Sequence, residues 1–259
     1  MKMKRSRRVP DVFKKKRKIA ATAGQQSDWG SNDCSISNQD LPNDTKAALL
    51  YIKTLYHIES FDSRIPHIIL KHQVYGVVRN KTLVDRQLGQ LKEKKEIKMF
   101  KLGATIDEYC IVFTEDYKQH VLRQLPGNPV VDKFLETAVE KCCDVSLNKA
   151  AMIDEFLFTD DEITQLVNAG LLTVRDIGSW WMAIPGAGIF MKSFTKGRET
   201  LLRTIRKAKY QEILQQELEE RKLIAVKKLG MTYHMLDIIG AEFVTRIQTT
   251  SGWLLRLSE

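Results

Sequence analysis

The chain has 259 residues, with 41 lysines and arginines against 32 aspartates and glutamates, and a formal net charge of +9. Residues 1–20 carry this whole excess, so the remainder of the chain is neutral overall. A hydrophobic fraction of 43% is enough for a sizeable buried core. No apolar run reaches the roughly 20 residues that span a bilayer, and the start is too basic for a secretory signal. These features predict a soluble intracellular protein.

Motifs for catalysis or metal binding are missing from the sequence. The four cysteines include no CxxC pair, the five histidines form no HExxH motif, and no GxSxG is present. We therefore predict no metal site and no cofactor. Residues 174–176 (VRD) resemble the HRD motif of protein kinases and residues 176–178 (DIG) resemble DFG, but they share one aspartate where a kinase needs two. We predict that the protein is not an enzyme and keep a serine/threonine kinase only as an alternative.

Residues 1–44 predict a disordered basic tail, because they combine lysine- and arginine-rich clusters with a polar stretch that has no apolar periodicity. Two compact basic clusters separated by five residues are typical of a two-part nuclear import signal. A phosphate-binding arm and a merely solubilising tail are the alternatives. The predicted import residues are Lys4, Arg5, Arg7, Arg8, Lys14, Lys15, Lys16, Arg17 and Lys18.

Residues 45–125 predict a first winged-helix domain. Apolar residues at three- and four-residue steps predict helices from Thr45 to Tyr56, over 65–78 and over 82–95. Alternating residues from position 97 and the run YCIVF at 109–113 predict a β-hairpin, with a further helix from position 114. Three helices followed by a hairpin is the order of a winged helix, a helix-turn-helix with a β-wing.

Residues 126–194 repeat this order. Helices are predicted over 130–139, over 150–158 and from Thr159, which is placed to cap the third one. Strands are predicted at LLTVR (171–175) and WWMAI (180–184), joined by the turn DIGS. The matching order of helix, strand, strand and capped helix in both halves indicates a tandem of one supersecondary unit, and a second winged helix.

Residues 195–259 predict a third, smaller winged helix that borrows a long helix over 188–222 as its first element. A short strand over 224–229, helical runs over 231–239 and 241–247, and a final strand over 253–257 complete it. The predicted fold is therefore mainly α with small β-hairpin wings (α+β): three tandem winged-helix domains after a disordered basic tail.

One face of the long helix is basic. At 100° per residue, five bases fall within an arc of about 100°, opposite Leu201 and Ile205. These bases are Lys192, Lys196, Arg203, Arg206 and Lys207. Residues 144–176 instead carry seven acids and two bases. A basic stripe opposed to an apolar face is what a phosphate-binding surface needs, whereas an ordinary solvated helix face is the alternative.

The segment 162–214 closely resembles the winged-helix repair factor family, long called serine/threonine-protein kinase nineteen. IVFTEDY and DRQL upstream and TYHMLDIIGAEFV and TTSGWLLRL downstream extend the resemblance over about residues 45–259. It implies three tandem winged helices that bind double-stranded DNA. It also implies a scaffold role in transcription-coupled nucleotide excision repair, bridging stalled RNA polymerase II, the Cockayne-syndrome ubiquitin ligase and transcription factor IIH.

The family's DNA-contacting bases match at Lys192, Arg206, Arg221 and Lys222, with Lys196, Arg198 and Lys209 nearby. The basic stripe and Lys227 and Lys228 complete the predicted DNA-binding set: Lys192, Lys196, Arg198, Arg203, Arg206, Lys207, Lys209, Arg221, Lys222, Lys227 and Lys228. We expect a nuclear, chromatin-associated, non-catalytic protein that binds duplex DNA largely independently of its sequence and does not bind a membrane. A protein-only winged-helix adaptor is the alternative, and a homodimer is left open.

Overall fold

The computed structural model describes residues 44–56, 58–102 and 108–258. Residues 42–259 group as one body. The predicted disordered tail and all nine import residues lie outside the described residues. Within the described ranges, no helix combines the length and apolar character needed to cross a membrane.

Nine α-helices and nine short strands make up most of the described chain. The helices are α1 (Asp44–Leu55), α2 (Lys71–Val77), α3 (Lys81–Glu93), α4 (Thr114–Gln124), α5 (Pro129–Phe134), α6 (Asp160–Asn168), α7 (Ala187–Lys207), α8 (Gln215–Glu220) and α9 (Met231–Gly240). The strands are β1 (Ile69–Leu70), β2 (Ile97–Lys101), β3 (Tyr109–Phe113), β4 (Ser146–Asn148), β5 (Leu172–Asp176), β6 (Ser179–Met182), β7 (Glu212–Leu214), β8 (Val244–Thr249) and β9 (Gly252–Leu257).

The strands form three antiparallel sheets with the same topology. The sheet orders are β1-β3-β2, β4-β6-β5 and β7-β9-β8, so in each sheet a short strand pairs with the last strand of a hairpin. Helix, short strand, helix, helix and hairpin therefore follow one another three times, in residues 44–113, 129–182 and 187–257, where a π-helical turn at Ala151–Glu155 is the second helix of the middle segment. We call these segments the first, second and third repeats. The mixed helical and antiparallel architecture agrees with the predicted fold class.

The first repeat contains the predicted hairpin but a shorter second helix. β2 and β3 pair over their full length, from Ile97 opposite Phe113 to Lys101 opposite Tyr109. The helix predicted over 65–78 begins only at Lys71, so that prediction was too long. Ile69 and Leu70 are extended and pair with Ile111 and Cys110, because the third strand of the sheet must come from this segment.

The second repeat begins its third helix where the sequence predicted. Thr159 Oγ1 accepts from the Glu162 backbone N–H at 3.2 Å, while Glu162 Oε2 accepts from the Thr159 N–H at 2.9 Å. This reciprocal capping box satisfies two backbone donors that the first turn leaves unpaired. The predicted hairpin is also present as β5 and β6.

In the third repeat the long helix predicted over 188–222 is interrupted after Lys207, and only Gln215–Glu220 return to helix, as α8. Tyr210 and Gln211 adopt left-handed backbone angles, with φ of 59° and 57°. They turn the chain so that β7 can pair with β9. The helical pattern of the sequence could not reveal this break, because residues 208–211 contain neither glycine nor proline.

Two further predictions for this repeat are wrong. The strand predicted over 224–229 is a 3-10 turn at Ile224–Val226, and the helix predicted over 241–247 is largely β8. β9 needs a hairpin partner, and the β-branched residues of β8, paired from Val244 opposite Leu257 to Thr249 opposite Gly252, supply it.

Helix α7 connects two hydrophobic cores. Phe190 and Phe194 lie in the large core shared with the first two repeats. Leu201 and Ile205 lie in the smaller core of the third repeat. The predicted domain boundary between residues 194 and 195 therefore falls inside a continuous helix.

Helix α9 packs closely against α2 and α7 because glycines lie at the contacts. A Cβ on Gly240 would stand 1.9 Å from the His72 carbonyl oxygen, and one on Gly197 would stand 2.3 Å from the His234 ring. The Tyr233 hydroxyl donates to the Ile68 carbonyl at 2.8 Å. These contacts join the third repeat to the first through backbone-level packing.

Alanine substitutions at two glycines of α7 should have opposite effects on stability. We expect Gly197→Ala to lower the free energy of unfolding by about 1–3 kcal/mol, since its Cβ overlaps the buried His234 ring. Gly188→Ala meets no atom within 4 Å and should raise it by up to about 1 kcal/mol through helix propensity. Thermal unfolding midpoints measure both, and shifts of the same sign would contradict the packing described.

Candidate nucleic-acid interface

The outer face of α7 presents a row of exposed cations. Its inner face is buried through Phe190, Phe194, Gly197, Leu201 and Ile205, so the residues opposite must face solvent. None of the outer bases forms an ion pair with any residue that the structure describes, which leaves their charges available to a ligand. This basic face consists of Lys192, Lys196, Arg203, Arg206 and Lys207.

A second group of exposed cations surrounds the 3-10 turn Ile224–Val226. α7 packs against this turn, and Val226 shares the small core with Leu201 and Ile205. The tertiary structure therefore packs the turn that carries the second group against the buried side of α7, although about fifteen residues or more separate this group from the basic face in sequence. This basic turn comprises Arg221, Lys222, Lys227 and Lys228.

The contacts of the basic turn leave most of its charge free. Arg221 donates to Glu217 at 2.6 Å, but both side chains are exposed, and such a pair contributes little. Lys228 lies over the Phe61 ring at 5.8 Å. Lys209, at the end of α7, is exposed above the Tyr210 ring at 4.9 Å. Ten of the eleven predicted bases are thus at the surface.

Arg198 is the exception, because its guanidinium is used inside the protein. Its side chain is only 14% exposed and makes a fork with Asp237, with both N–H···O distances 2.8 Å, and a third bond to Glu108 at 2.8 Å. The guanidinium also lies between the rings of Phe194 and Phe243. The structure therefore separates Arg198 from the basic face to which the sequence assigned it. On a helical wheel it stands about 120° from Lys192, a signal that could have identified it.

Asp237 is the centre of this buried cluster. Burial by itself would raise the pKa of Asp237, but hydrogen bonds from Arg198 and His72 hold that pKa below its ordinary value. The His72 Nε2 to Asp237 Oδ1 distance is 2.5 Å. Because His72 lies on α2, Arg198 on α7 and Asp237 on α9, the cluster ties the first repeat to the third. The ionised carboxylate is therefore a structural element.

His234, next to this cluster, is buried as a neutral imidazole. Burial lowers the pKa of His234 to about 4, and neither ring nitrogen has a hydrogen-bond partner among the described residues. The ring stacks on Phe194 with centroids 5.8 Å apart. It therefore packs as an aromatic side chain.

Two of the three helices that precede the hairpins are poorly suited to reading bases. In a winged helix this helix normally enters the major groove. Six of the ten residues of α9 are buried. α6 begins with Asp160, Asp161 and Glu162, whose charges repel phosphates. On α3, Lys81 pairs with Glu242 of the third repeat, whereas Arg86 and Gln90 are exposed. The predicted DNA-binding cations that are exposed lie on α7, at Lys209 and on the basic turn.

Comparison with known proteins identifies the family. A family model described as inactive serine-threonine protein kinase 19 matches residues 39–257. The chain belongs to this family. It is 48% identical over 221 residues to winged helix repair factor 1 of Homo sapiens, covering 84% of this chain and 87% of the relative. The protein of the same name from Xenopus laevis is 38% identical over 254 residues, covering 97% of each chain.

These matches confirm the resemblance seen in the sequence. The family description as inactive, together with relatives named as repair factors, also confirms the prediction that the chain is not an enzyme. The kinase alternative is thereby set aside. The shared DIG aspartate, Asp176, ends an exposed strand on the second hairpin and pairs with Arg175 at 3.2 Å.

Two arginines of α7 should separate stability from ligand binding. We expect Arg198→Met to lower the free energy of unfolding by about 3–5 kcal/mol, because it leaves the buried Asp237 carboxylate without its main partner. Arg203→Met, on the exposed basic face, should change stability by less than about 0.5 kcal/mol. Denaturation midpoints measure both. The double variant Arg198→Met with Asp237→Leu should recover part of the loss, and equal stability of the two single variants would contradict the assignment.

Proposed function

We propose that the chain consists of three tandem winged-helix domains, over about residues 45–125, 126–194 and 195–259, and binds duplex DNA without catalysis. The repeated order of elements and the shared sheet topology support the three domains. The family membership and the repair factor names of its relatives support a role in DNA repair. Because the predicted boundary between residues 194 and 195 falls inside α7, we move it to the start of α7 near residue 187, so that α7 is the first helix of the third domain.

The observation that carries the proposal is the exposure of two groups of cations in one repeat, one along α7 and one on the turn that packs against α7. α7 is about 30 Å long at 1.5 Å per residue, which matches roughly nine base pairs of duplex. Its basic face and the basic turn together present nine cations that are free of buried ion pairs. Each lysine or arginine set against a phosphate releases condensed counterions, so such a surface binds duplex DNA by charge.

This arrangement favours contacts to phosphates over contacts to bases. Of the helices that would read a groove, α9 is largely buried and α6 begins with three acids, as described above. Phosphate contacts position a protein on the duplex without carrying sequence information. The proposed binding is therefore largely independent of sequence.

The proposed setting is transcription-coupled nucleotide excision repair in the nucleus, associated with chromatin. The protein would bridge stalled RNA polymerase II, the Cockayne-syndrome ubiquitin ligase and transcription factor IIH while it holds DNA. The second repeat, rich in acidic residues, is suited to protein partners because it repels the duplex. A homodimer would double the basic surface.

A protein-only adaptor is the second candidate function. The observation that favours it is the fully exposed Ile177 at the tip of the β5–β6 hairpin, with Val174 and Leu157 also largely exposed nearby in the sequence. Exposed aliphatic residues of this kind are typical of protein contacts. Such contacts would explain binding to partners without any role for the cations.

Duplex binding across a salt series tests the two candidates. We expect wild-type affinity to fall steeply with salt, and the double variant Arg206→Glu with Arg221→Glu to reduce affinity at least about tenfold and the salt slope by about 2. Fluorescence anisotropy with a labelled 20-base-pair duplex measures both quantities. The control Arg86→Glu with Lys141→Glu changes net charge equally at exposed sites outside the basic face and basic turn. Affinity that ignores salt, or equal loss in the control, would support the adaptor.

Deletion of residues 1–20 should affect localisation more than DNA binding. The deletion removes ten bases and one acid and brings the formal net charge to zero. We expect it to abolish nuclear accumulation of a fluorescent fusion, since it removes both basic clusters. Affinity for the duplex should stay within about threefold, because the proposed contacts lie on α7 and the basic turn. A fusion that remains nuclear would contradict the import role.

A further inference from the structure

Between α8 and α9, the basic turn encloses an open cavity that the proposed function does not use. Its volume is about 370 Å³, within the range of roughly 300–1,000 Å³ that is usual for ligand sites. The floor is apolar and is formed by Leu223, Val226 and Met231. Such a floor favours a flat, poorly hydrated group over an ion.

Three cations and one acid stand around this apolar floor. Arg221, Lys222 and Lys227 line the cavity together with Glu219. Glu219 accepts from Gln215 at 2.8 Å, so part of its charge is already hydrogen-bonded. The occupant that fits is therefore apolar at its centre and anionic at its edges.

Ile224 stands at the edge of the same cavity with its side chain 91% exposed. Full burial of an isoleucine side chain stabilises a fold by about 1.5–3 kcal/mol, and the exposed Ile224 lacks this contribution. Some DNA-binding proteins insert exposed aliphatic side chains as wedges between stacked base pairs. The wedge and the cavity are neighbours on one turn.

We propose that this turn binds an unpaired nucleotide within a duplex. Ile224 fills the gap in the base stack, the displaced base lies on Leu223, Val226 and Met231, and the flanking phosphates meet Arg221, Lys222 and Lys227. This inference rests on the proposed duplex binding and specifies its ligand: a duplex that contains a bulged or mismatched nucleotide. Displacing a base from the stack costs least when the base has no partner.

The neighbouring basic face favours DNA over an acidic peptide as the occupant. An acidic apolar peptide could fill the cavity, but it would leave the five cations of α7 unused. A duplex is a polyanion whose phosphates recur every few ångströms along the axis, so it can use more of these cations than a short peptide does. No side-chain amide lines the described cavity, so the site accepts any base.

The test compares two duplexes that differ by one nucleotide. One is a fully paired 20-mer, and the other carries a single central bulge of 2-aminopurine, whose emission rises when it leaves the stack. We expect the wild-type protein to bind the bulged duplex about tenfold more tightly and to increase its emission further, since an unpaired base is already cheap to displace.

Ile224→Ala should bind the bulged duplex no more than about twofold more tightly than the paired one. Its affinity for the paired duplex should be nearly unchanged, because the phosphate contacts remain. Ile177→Ala, at an equally exposed isoleucine on the second repeat, is the matched control and should keep the preference.

Three results would overturn the inference. If wild type binds both duplexes equally, the cavity does not take a base, yet duplex binding stands. If neither duplex binds, the proposed function fails as well. If an alternating leucine and aspartate peptide binds wild type but not Ile224→Ala, and the bulge gives no preference, the cavity is a protein-docking site.

Discussion

The ion pair between Arg198 and Asp237 is the interaction on which the rest of the structure depends. A carboxylate with no solvent exposure is tolerated only when its charge and its lone pairs are matched, and here a guanidinium fork and His72 match them. Since these three residues lie on α7, α9 and α2, satisfying Asp237 fixes the rotation of α7 about its axis. That rotation turns the basic face of α7 to solvent, about 120° away on the wheel.

The same packing explains why the exposed cations of the third repeat lie on α7 and on the turn before α9. α9 occupies the position of the groove-reading helix in the third repeat, yet it is buried against α2 and α7 through glycines that allow near-contact of the backbones. A helix committed to the core cannot also read bases. The cations therefore gather on the first helix of the repeat and on the turn before α9, where the structure leaves solvent. Such a surface suits phosphates, whose charge is the same in every sequence.

Charged residues are segregated along the sequence, so that two segments of the neutral body differ in the sign of their net charge. Residues 190–259 carry thirteen lysines and arginines against eight acids, whereas residues 144–176 carry seven acids against two bases. The first excess attracts a polyanion and the second repels it. Under the proposed function, the last repeat holds the duplex and the second repeat is left to protein partners. The net charge of +9 of the whole sequence is carried by residues 1–20, so it says nothing about the charge of these two segments.

The sequence by itself determined the family, the hairpins of the first two repeats, the capping box at Thr159 and the basic face of α7. These are local patterns, since periodicity, caps and turns act over fewer than about ten residues. Only the tertiary structure decided that α7 ends at Lys207, that β8 replaces a helix, and that Arg198 is internal. Strand pairing with β9 replaced the predicted helix at residues 212–214 and 244–247, and Arg198 pairs with Asp237, 39 residues away. The cavity beside Ile224 was not predicted, because the strand predicted over 224–229 is a 3-10 turn.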